Sequence, residues 1–251
     1  MKNCILVAFV AVCWSAFAVP RAEWVNGGSN SGRFGFDWNS AGVTGLNLAG
    51  CPQGPRRDFT KLKAHRNEIA DGAYVIVPLC PFTSVLQKSY DDRPSVDTNP
   101  LLDFDGEPSE AELVKFRDFL DGIWKREFSI RDYADDMTAT NRAAYTEMVE
   151  FMKEFIGWCR KEKLNPIFVL PPAAKCFDTL FPDSFLKAYI YDYVKDVGGD
   201  VPFFDYWKSP DFRSNRLYAN ALFLNRTGRK AFTARVMADI KAGISRKREI
   251  H

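Results

Sequence analysis

The sequence predicts a single three-layer α/β domain built around a parallel sheet of about five strands. Short apolar runs alternate along the chain with segments whose apolar residues recur every three or four positions, the pattern of strands separated by helices. Helical crossovers between such strands are right-handed, so the strands run parallel and helices cover both faces of the sheet. The length of 251 residues suits one domain of this kind.

Five apolar segments are predicted to be strands. The third is apolar throughout, as expected of a strand buried on both faces, and the first ends in glycine. The predicted strands are residues 23–27, 43–48, 73–79, 166–170 and 201–204.

Five helices are predicted between and after these strands, from apolar residues spaced to form one stripe. They are residues 58–70, 110–124, 141–163, 183–195 and 227–244. The segment 84–140 interrupts the alternation with prolines and an acidic run, and we interpret it as an insertion within the single domain 19–251. Because open α/β sheets bind ligands beyond the carboxyl ends of their strands, this insertion is expected beside the ligand face.

Charge and composition exclude several classes of function. A net charge of +2 argues against a nucleic-acid partner, which requires a dense basic face. The two histidines, His65 and His251, are too few for histidine-rich zinc sites, and the six cysteines form no CxxC pair. We therefore expect neither a metal nor a cofactor.

Residues 1–18 have the pattern of a secretory signal peptide. Lys2 precedes a nearly unbroken apolar run that closes with Ala16-Phe17-Ala18, an A-x-A ending. The alternative is an uncleaved membrane anchor, whereas lipid attachment at Cys13 is disfavoured because Val12 stands where a small residue is required. The mature chain is expected to be secreted, periplasmic or at the cell surface, with membrane contact only if the segment is retained.

The segment Gly27-Gly28-Ser29-Asn30-Ser31 follows the first strand and has the most chemical content. A serine at a tight strand-to-helix turn exposes its Oγ, and the N–H groups at the helix start can hold an oxyanion. The alternative is an N-cap after a glycine turn. The segment is not a GxSxG elbow, because Ser31 occupies the last glycine position.

Three blocks in order resemble the SGNH (GDSL-like) hydrolase superfamily. They are Ser29 after the first strand, the segment from Asn47 to Gln53 after the second, and Leu-Asn-x-x-Gly-Arg-x-x-Phe-Thr near the carboxyl end. The pattern is most similar to the superfamily's surface-polysaccharide esterases and to acyl-transfer proteins of cell-wall polymers. The resemblance implies a flavodoxin-like fold, Ser29 as nucleophile, and hydrolysis or acyl transfer on an acylated carbohydrate or small ester without a metal.

The sequence departs from that family at the catalytic positions. The family's last block reads Asp-x-x-His-Leu-Asn, but Asn220 and Phe223 occupy the positions of the acid and the base. Asparagine cannot stabilise an imidazolium by charge, and phenylalanine cannot accept a proton. Without a base the hydroxyl of Ser29 is a poor nucleophile.

The expected oxyanion donors are also altered. Beside Ser29 itself, the second-block glycine falls at Pro52, which has no N–H, or at Gly50 or Gln53 if the register slips. Cys80 stands where the third block has an asparagine donor. The implied oxyanion set is therefore Ser29, Gly50 and Cys80.

Carboxylates and aromatic residues after the fifth strand are further candidates. Asp205 and Asp211 could replace the missing base, although capping or surface roles are the alternative. Tyr206, Trp207 and Phe212 suit stacking on a sugar, unless they only cover the core. Asn30, beside the nucleophile, is the remaining candidate for substrate binding, and His65 is expected on the surface, away from the ligand face.

Cys51, Cys80 and Cys176 each follow a predicted strand at the same edge of the sheet, whereas Cys159 lies on a helix. A disulfide between Cys51 and Cys80 is expected if the chain is exported, because the compartment is oxidising. The alternatives are packed thiols or a cysteine nucleophile, for which no histidine is near to lower the thiol pKa.

Two functions from different classes remain open at this point. The first is an exported SGNH-type esterase or acyltransferase that uses Ser29 with an unusual base. The second is a catalytically silent protein of this fold that binds glycans or belongs to an envelope-polymer assembly.

Export is directly testable. Amino-terminal sequencing of the secreted product should begin near Val19, because cleavage is expected after the A-x-A ending. Recovery of the chain with Met1 intact from soluble cytoplasm would contradict the prediction.

Overall fold

A computed structural model describes residues 20–94 and 103–243, so the predicted signal peptide lies outside the described residues. The described chain forms a five-stranded sheet in which every strand pair is parallel. The strands are β1 (Ala22–Asn26), β2 (Gly45–Asn47), β3 (Ile69–Pro78), β4 (Asn165–Leu170) and β5 (Phe203–Asp205). The predicted α/β fold with five parallel strands is confirmed.

The sheet order is β2-β1-β3-β4-β5, the order of flavodoxin-like folds. In the sheet, β2 lies on one side of β1 and β3 on the other. The order in which the chain places its strands therefore reverses between β1 and β3. The two loops that leave these strands diverge at this point and open a crevice, which is where open α/β sheets bind their ligands.

Nine α-helices occur in the described part of the chain. They are α1 (Asn30–Arg33), α2 (Pro55–Ala64), α3 (Lys88–Asp91), α4 (Glu110–Glu127), α5 (Ala139–Lys161), α6 (Lys175–Asp178), α7 (Asp183–Leu186), α8 (Asp192–Gly198) and α9 (Arg226–Lys241). A π-helical turn, Lys187–Tyr191, joins α7 to α8, so the predicted helix 183–195 is a nearly continuous element that runs three residues further. None of the helices in residues 20–94 and 103–243 combines the length and apolarity needed to cross a bilayer.

Aromatic contacts pack the helices onto the two faces of the sheet. On one face, Phe59 of α2 contacts Phe155 and Trp158 of α5, with ring centroids 5.3 and 5.4 Å apart. On the other face, Phe36 contacts Phe232 of α9 at 5.6 Å, and Trp38 stacks near Trp24 of β1 at 5.8 Å. The sheet is therefore the middle layer of three.

The predicted helix 58–70 is wrong over its last six residues. Gly54 and Pro55 start α2 earlier than predicted, because proline is favoured in the first helical turn. The helix ends at Ala64, and β3 begins at Ile69, which pairs with Ala22 of β1. The register between β1 and β3 then shifts, so the polar residues at 71–72, which gave no strand signal, are absorbed in an irregularity of β3.

The predicted insertion contains its own helix. Ser109 and Glu112 form a capping box at the start of α4, which satisfies two orphan N–H groups of the first turn. Thr138 caps α5 in a similar way by accepting from the N–H of Asn141. These caps set α4 over the crevice between β1 and β3, where Leu120 and Trp124 reach the site described next.

Candidate functional site

Two glycines and a buried carboxylate shape the turn between β1 and α1. The N–H of Gly28 donates to Oδ2 of Asp58 at 2.7 Å, with Gly28 at a φ of +95° that disfavours other residues. A Cβ on Gly27 would lie 2.5 Å from Cγ of Asp58, and one on Gly32 would lie 1.9 Å from the carbonyl oxygen of Gly27. The turn therefore requires these glycines, and it places Ser29 at the start of α1.

Ser29 does not use its hydroxyl as a helix cap. Its side chain makes no capping hydrogen bond to α1, although the residue occupies the N-cap position. The hydroxyl is instead hydrogen-bonded to the hydroxyl of Tyr90, from α3. The serine side chain therefore points away from the α1 backbone and towards a cavity, as expected of a functional group rather than a cap.

A cavity of about 140 Å³ opens beside Ser29 at the switch point of the sheet. The loops after β1, β3 and β4, the helix α4 and the segment before α9 contribute its walls. Apolar side chains dominate the lining, which consists of Ser29, Asn30, Ser31, Phe34, Gly35, Leu79, Cys80, Pro81, Tyr90, Leu120, Trp124, Pro171, Pro172, Trp207, Leu222, Phe223 and Leu224. The position after β1 and β3 agrees with the expected location of Ser29 and Cys80 on one rim.

Tyr90 is the polar partner of Ser29 in this cavity. Burial raises the pKa of Tyr90 to about 12, and the nearby Cys80 and Glu127 add to the shift. Arg93 lies over the Tyr90 ring, 4.7 Å from its centroid. At neutral pH Tyr90 is therefore a neutral phenol, which can hold a hydrogen bond but cannot take the proton of Ser29.

The two positions that resemble the catalytic acid and base do not form a catalytic pair. Phe223 lines the cavity and stacks on Phe34, with centroids 4.8 Å apart and ring planes at 11°. Asn220 is buried, and its Oδ1 accepts from the N–H groups of Leu222 and Phe223 at 3.0 and 2.8 Å. Asn220 therefore fixes a turn, and Phe223 is an apolar wall where a base would be needed.

Asp205 and Asp211, the suggested substitute bases, lie outside the cavity lining. Asp205 accepts from the hydroxyl of Tyr191 at 2.6 Å and from the N–H of Trp207 at 2.9 Å. Asp211 forms an ion pair with Arg235 at 2.6 Å. These contacts agree with the capping and surface roles that were given for both carboxylates.

Two other carboxylates lie closer to Ser29 than was expected from the sequence. Asp58 and Glu127 line a second cavity of about 60 Å³ that also reaches Ser29 and Tyr90. Glu127 is ion-paired with Arg93 at 2.6 Å, and Asp58 is bonded to Gly28. Neither carboxylate has Ser29 as its hydrogen-bond partner in these contacts. Among the described residues, no group of three or more His, Cys, Asp or Glu side chains could hold a metal ion.

The oxyanion donors implied by the resemblance are already occupied. The N–H of Gly50 donates to the carbonyl oxygen of Gly28 at 3.2 Å, and the N–H of Cys80 donates to Oγ1 of Thr83 at 2.8 Å. Pro52 follows a cis peptide bond, and Gln53 is buried with its side-chain amide directed to Leu48 and Asp58. The assignment of Gly50 as an oxyanion donor is therefore wrong, and the N–H of Cys80, which stands where the family has an asparagine, is also already bonded.

The aromatic residues predicted to stack on a sugar are core residues. Tyr206 is 0% exposed, and its hydroxyl donates to Asp239 at 2.8 Å. Phe212 is also buried. Trp207 is buried too, but it lines the cavity, and its indole N–H has no partner among the described residues. Of the predicted substrate-binding residues, Asn30 and Trp207 line the cavity, and Asn30 likewise has an unpartnered Oδ1 in the described chain.

The four cysteines of residues 20–94 and 103–243 are free thiols, so the expected Cys51–Cys80 disulfide is absent from this structure. The Cys80 Sγ accepts from the Thr83 hydroxyl at 3.3 Å instead. Burial raises the pKa of Cys80 and raises that of Cys159 to about 12. A raised pKa leaves little thiolate at neutral pH, which argues against a cysteine nucleophile.

His65 contacts neither Ser29 nor its cavity. Its Nδ1 lies 2.7 Å from Oε1 of Glu68, and the side chain is partly exposed at the end of α2. The expectation of a histidine away from the cavity is confirmed.

Sequence reasoning missed Tyr90, Asp58 and the α4 residues Leu120 and Trp124. Tyr90 lies in the segment that was interpreted as an insertion, where no pattern pointed to the site. The helix at 110–124 was predicted, but its contact with the Ser29 cavity was not. Asp58 was visible only as the first residue of a predicted helix. The signal that could have found it is the Gly27-Gly28 pair, which requires that another group approach the backbone closely.

Comparisons with known proteins show little beyond the fold. No family model matches the sequence, and no curated protein matches it. A crystal structure of the protein YxiM from Bacillus subtilis is similar at a TM-score of 0.45 and 17% sequence identity. The match covers 90% of this chain and spans 58% of the YxiM chain.

The buried Asp58 predicts an unusual dependence of stability on pH. Burial raises its pKa to about 6 despite the hydrogen bonds from Gln53 and Gly28. An acid whose pKa is raised by folding favours the folded state when protonated, so this contribution is lost as the pH rises from about 4 to about 6. A shift of this size corresponds to about 3 kcal/mol.

We therefore expect Asp58→Asn to stabilise the protein increasingly, relative to the wild type, as the pH rises from about 4 to about 7. The amide oxygen at position 58 can still accept from the N–H of Gly28, so the substitution keeps that hydrogen bond. Thermal melts of both proteins across this range measure the difference. A constant difference would contradict the raised pKa, and Asp211→Asn, at a partly exposed carboxylate outside the site, is the matched control.

Proposed function

We propose that this chain binds the acyl group of an acylated carbohydrate or small ester in the Ser29 cavity and does not cleave it by triad chemistry. The observation that carries the proposal is the position of Phe223. It forms an apolar wall of that cavity, stacked on Phe34, where the resemblance to SGNH hydrolases calls for a histidine. The site therefore has a pocket beside Ser29 but no histidine that could deprotonate the serine.

The size and lining of the cavity support an acyl ligand. An apolar protein cavity of ~150 Å³ is large enough to bind benzene, so about 140 Å³ holds a short acyl chain rather than a sugar ring with its hydroxyls. Leu120, Leu222 and Phe223 offer dispersion contacts and no hydrogen bonds, and Trp124 adds its aromatic ring. A sugar ring would leave hydroxyls without partners against these apolar walls, whereas a hydrocarbon chain has no polar group to desolvate.

Polar groups at the same cavity suit the carbonyl of an ester or amide. The hydroxyls of Ser29 and Tyr90 are hydrogen-bonded to each other, which uses one of their two protons and leaves the other to be donated to an acceptor oxygen. The raised pKa of Tyr90 keeps its proton in place at neutral pH. The Ser29–Tyr90 pair then anchors the carbonyl, and Ser29 does not act as a nucleophile.

The second candidate is slow esterase or acyltransferase chemistry at Ser29. The observation that favours it is the same Ser29–Tyr90 hydrogen bond, because a deprotonated tyrosine can act as a base. Since the pKa of Tyr90 is about 12, only a small fraction is ionised near neutral pH. Any such activity should therefore rise with pH through the alkaline range.

Binding can be tested with N-acylglucosamines whose acyl chains contain two to six carbons, measured by calorimetry. We expect affinity to increase with chain length by roughly fourfold per buried CH₂, since each contributes about 0.8 kcal/mol. Leu120→Trp fills the cavity and should weaken the tightest complex at least tenfold. Phe119→Trp lies on the exposed side of the same helix and is the matched control. Affinity independent of chain length would contradict the proposal.

Catalysis is tested separately with activated acetyl esters. We expect slow turnover at neutral pH, a sharp fall in Ser29→Ala, and loss of the alkaline rise in Tyr90→Phe. The double change Asn220→Asp with Phe223→His should raise the rate more than Phe223→His alone, because a histidine needs an orienting charge.

Two outcomes would reverse these conclusions. Rapid neutral turnover abolished by Ser29→Ala would overturn the binding proposal in favour of an enzyme, with Asp58 and Glu127 as the bases to examine. Rapid turnover that survives Ser29→Ala would place the chemistry at another site.

A further inference from the structure

A wide groove separate from the Ser29 cavity carries an excess of positive charge. It has a volume of about 950 Å³ and shares no lining residue with the cavity. Its walls come from the end of α1 and the segment after it, from β2, from the end of α2 and from the start of α9. It is large enough for several units of a polymer, and far too large for a single small ion.

Five basic side chains line this groove against two carboxylates. The basic residues are Arg33, Lys61, Arg226, Arg229 and Lys230, and the carboxylates are Asp37 and Asp103. The whole chain has a net charge of only +2, so the local excess exceeds that of the entire protein. Positive charge is therefore concentrated in the groove beyond what the overall composition would produce.

Three of these cations stand where they oppose helix stability. Arg226, Arg229 and Lys230 lie in the first turns of α9, whose first turn has no acidic residue. The amino-terminal end of a helix is the positive end of its dipole, so these cations need compensating negative charge. Asp105 accepts from the N–H of Thr227, so carboxylates of the chain itself already bind at this end of the groove.

The cationic side chains are held in place, and one of them already binds a carboxylate. Arg229 is 8% exposed, and burial lowers its pKa. Asp103 forms an ion pair with Arg226 at 3.0 Å, so a carboxylate of the chain itself fits this end of the groove. Lys230 is exposed, and its charge adds to the hydrogen bond from Thr227, the largest cause, in lowering the pKa of the nearby Asp105 carboxyl.

We propose that this groove binds an extended polyanion through the cations at the start of α9 and those of α1 and α2. The ligand carries carboxylate or phosphate groups at intervals along a chain. Guanidinium groups recognise both kinds of oxyanion in a bidentate manner, and lysine adds point charges. This proposal does not depend on the acyl-binding proposal, because the two sites have separate linings.

The test measures binding of three probes to the mature chain: a short oligogalacturonate, a short linear polyphosphate and an uncharged malto-oligosaccharide. We expect at least one anionic probe to bind, with affinity that falls as salt rises from about 0.05 to about 0.3 M, and the uncharged probe not to bind. Tighter binding of one anionic probe than of the other shows whether the groove selects carboxylate or phosphate groups.

The paired change Arg226→Gln with Lys230→Gln should raise the Kd about tenfold, since two charge contacts of about 0.7 kcal/mol each are lost. Lys115→Gln with Lys161→Gln removes the same charge from exposed positions of α4 and α5 and should change the Kd less than twofold. Equal weakening by both pairs, no effect of the first pair, or no binding of either anion would overturn the proposal. Binding of N-acylglucosamine should be unchanged in the Arg226/Lys230 pair, so failure of one proposal is distinguishable from failure of the other.

Discussion

The hydrogen bond from the N–H of Gly28 to the buried carboxylate of Asp58 is the contact on which the candidate site depends. It ties the first turn of α2 to the loop that leaves β1, and it requires glycine at position 27 because the carboxylate occupies the space of a side chain. Asn26 holds the same loop from the other side. Its Nδ2 donates to the carbonyl oxygens of Gly27 and Gly32 and to the side chain of Asn47 on β2. Ser29 is therefore positioned by two buried polar side chains that are not themselves reactive.

Holding the loop of Ser29 with the buried carboxylate of Asp58 lowers the stability of the fold. Burying Asp58 raises its pKa to about 6, so near neutral pH the fold carries an ionised carboxylate in an apolar surrounding. Backbone and amide donors offset part of this cost, but a neutral residue would avoid it. A strained or destabilised arrangement is expected where a loop must be held in one geometry for binding. The rigid loop and the apolar cavity beside it are consistent with a preorganised ligand site, whether or not Ser29 reacts.

The fold could be predicted from the sequence because its signal is repeated. Five apolar runs with intervening helical stripes specify a parallel sheet even when single boundaries slip, as they do at residues 65–70. The site could be predicted only where a strand end locates it, as for Ser29 and Cys80. Hydrogen-bond assignments could not be predicted, because whether the N–H of Gly50 faces a ligand or Gly28 depends on backbone geometry of a few tenths of an ångström. Tyr90 joins Ser29 across sixty residues of sequence, a distance over which no periodicity carries information.

Residues of α1 and its ends line two different surfaces, the apolar cavity and the basic groove. Ser29, Asn30 and Phe34 face the apolar cavity, whereas Arg33 lines the basic groove. Successive residues of a helical turn point in directions about 100° apart, so the adjacent Arg33 and Phe34 can line different surfaces. An apolar pocket selects by shape and chain length, and a charged groove selects by charge and acts over a Debye length of about 8–10 Å. A ligand that carries both a short acyl group and regularly spaced anionic groups would satisfy the two surfaces at once. Linking two weak contacts in one ligand raises the overall affinity without any new interaction, provided that the spacer spans the turn of α1.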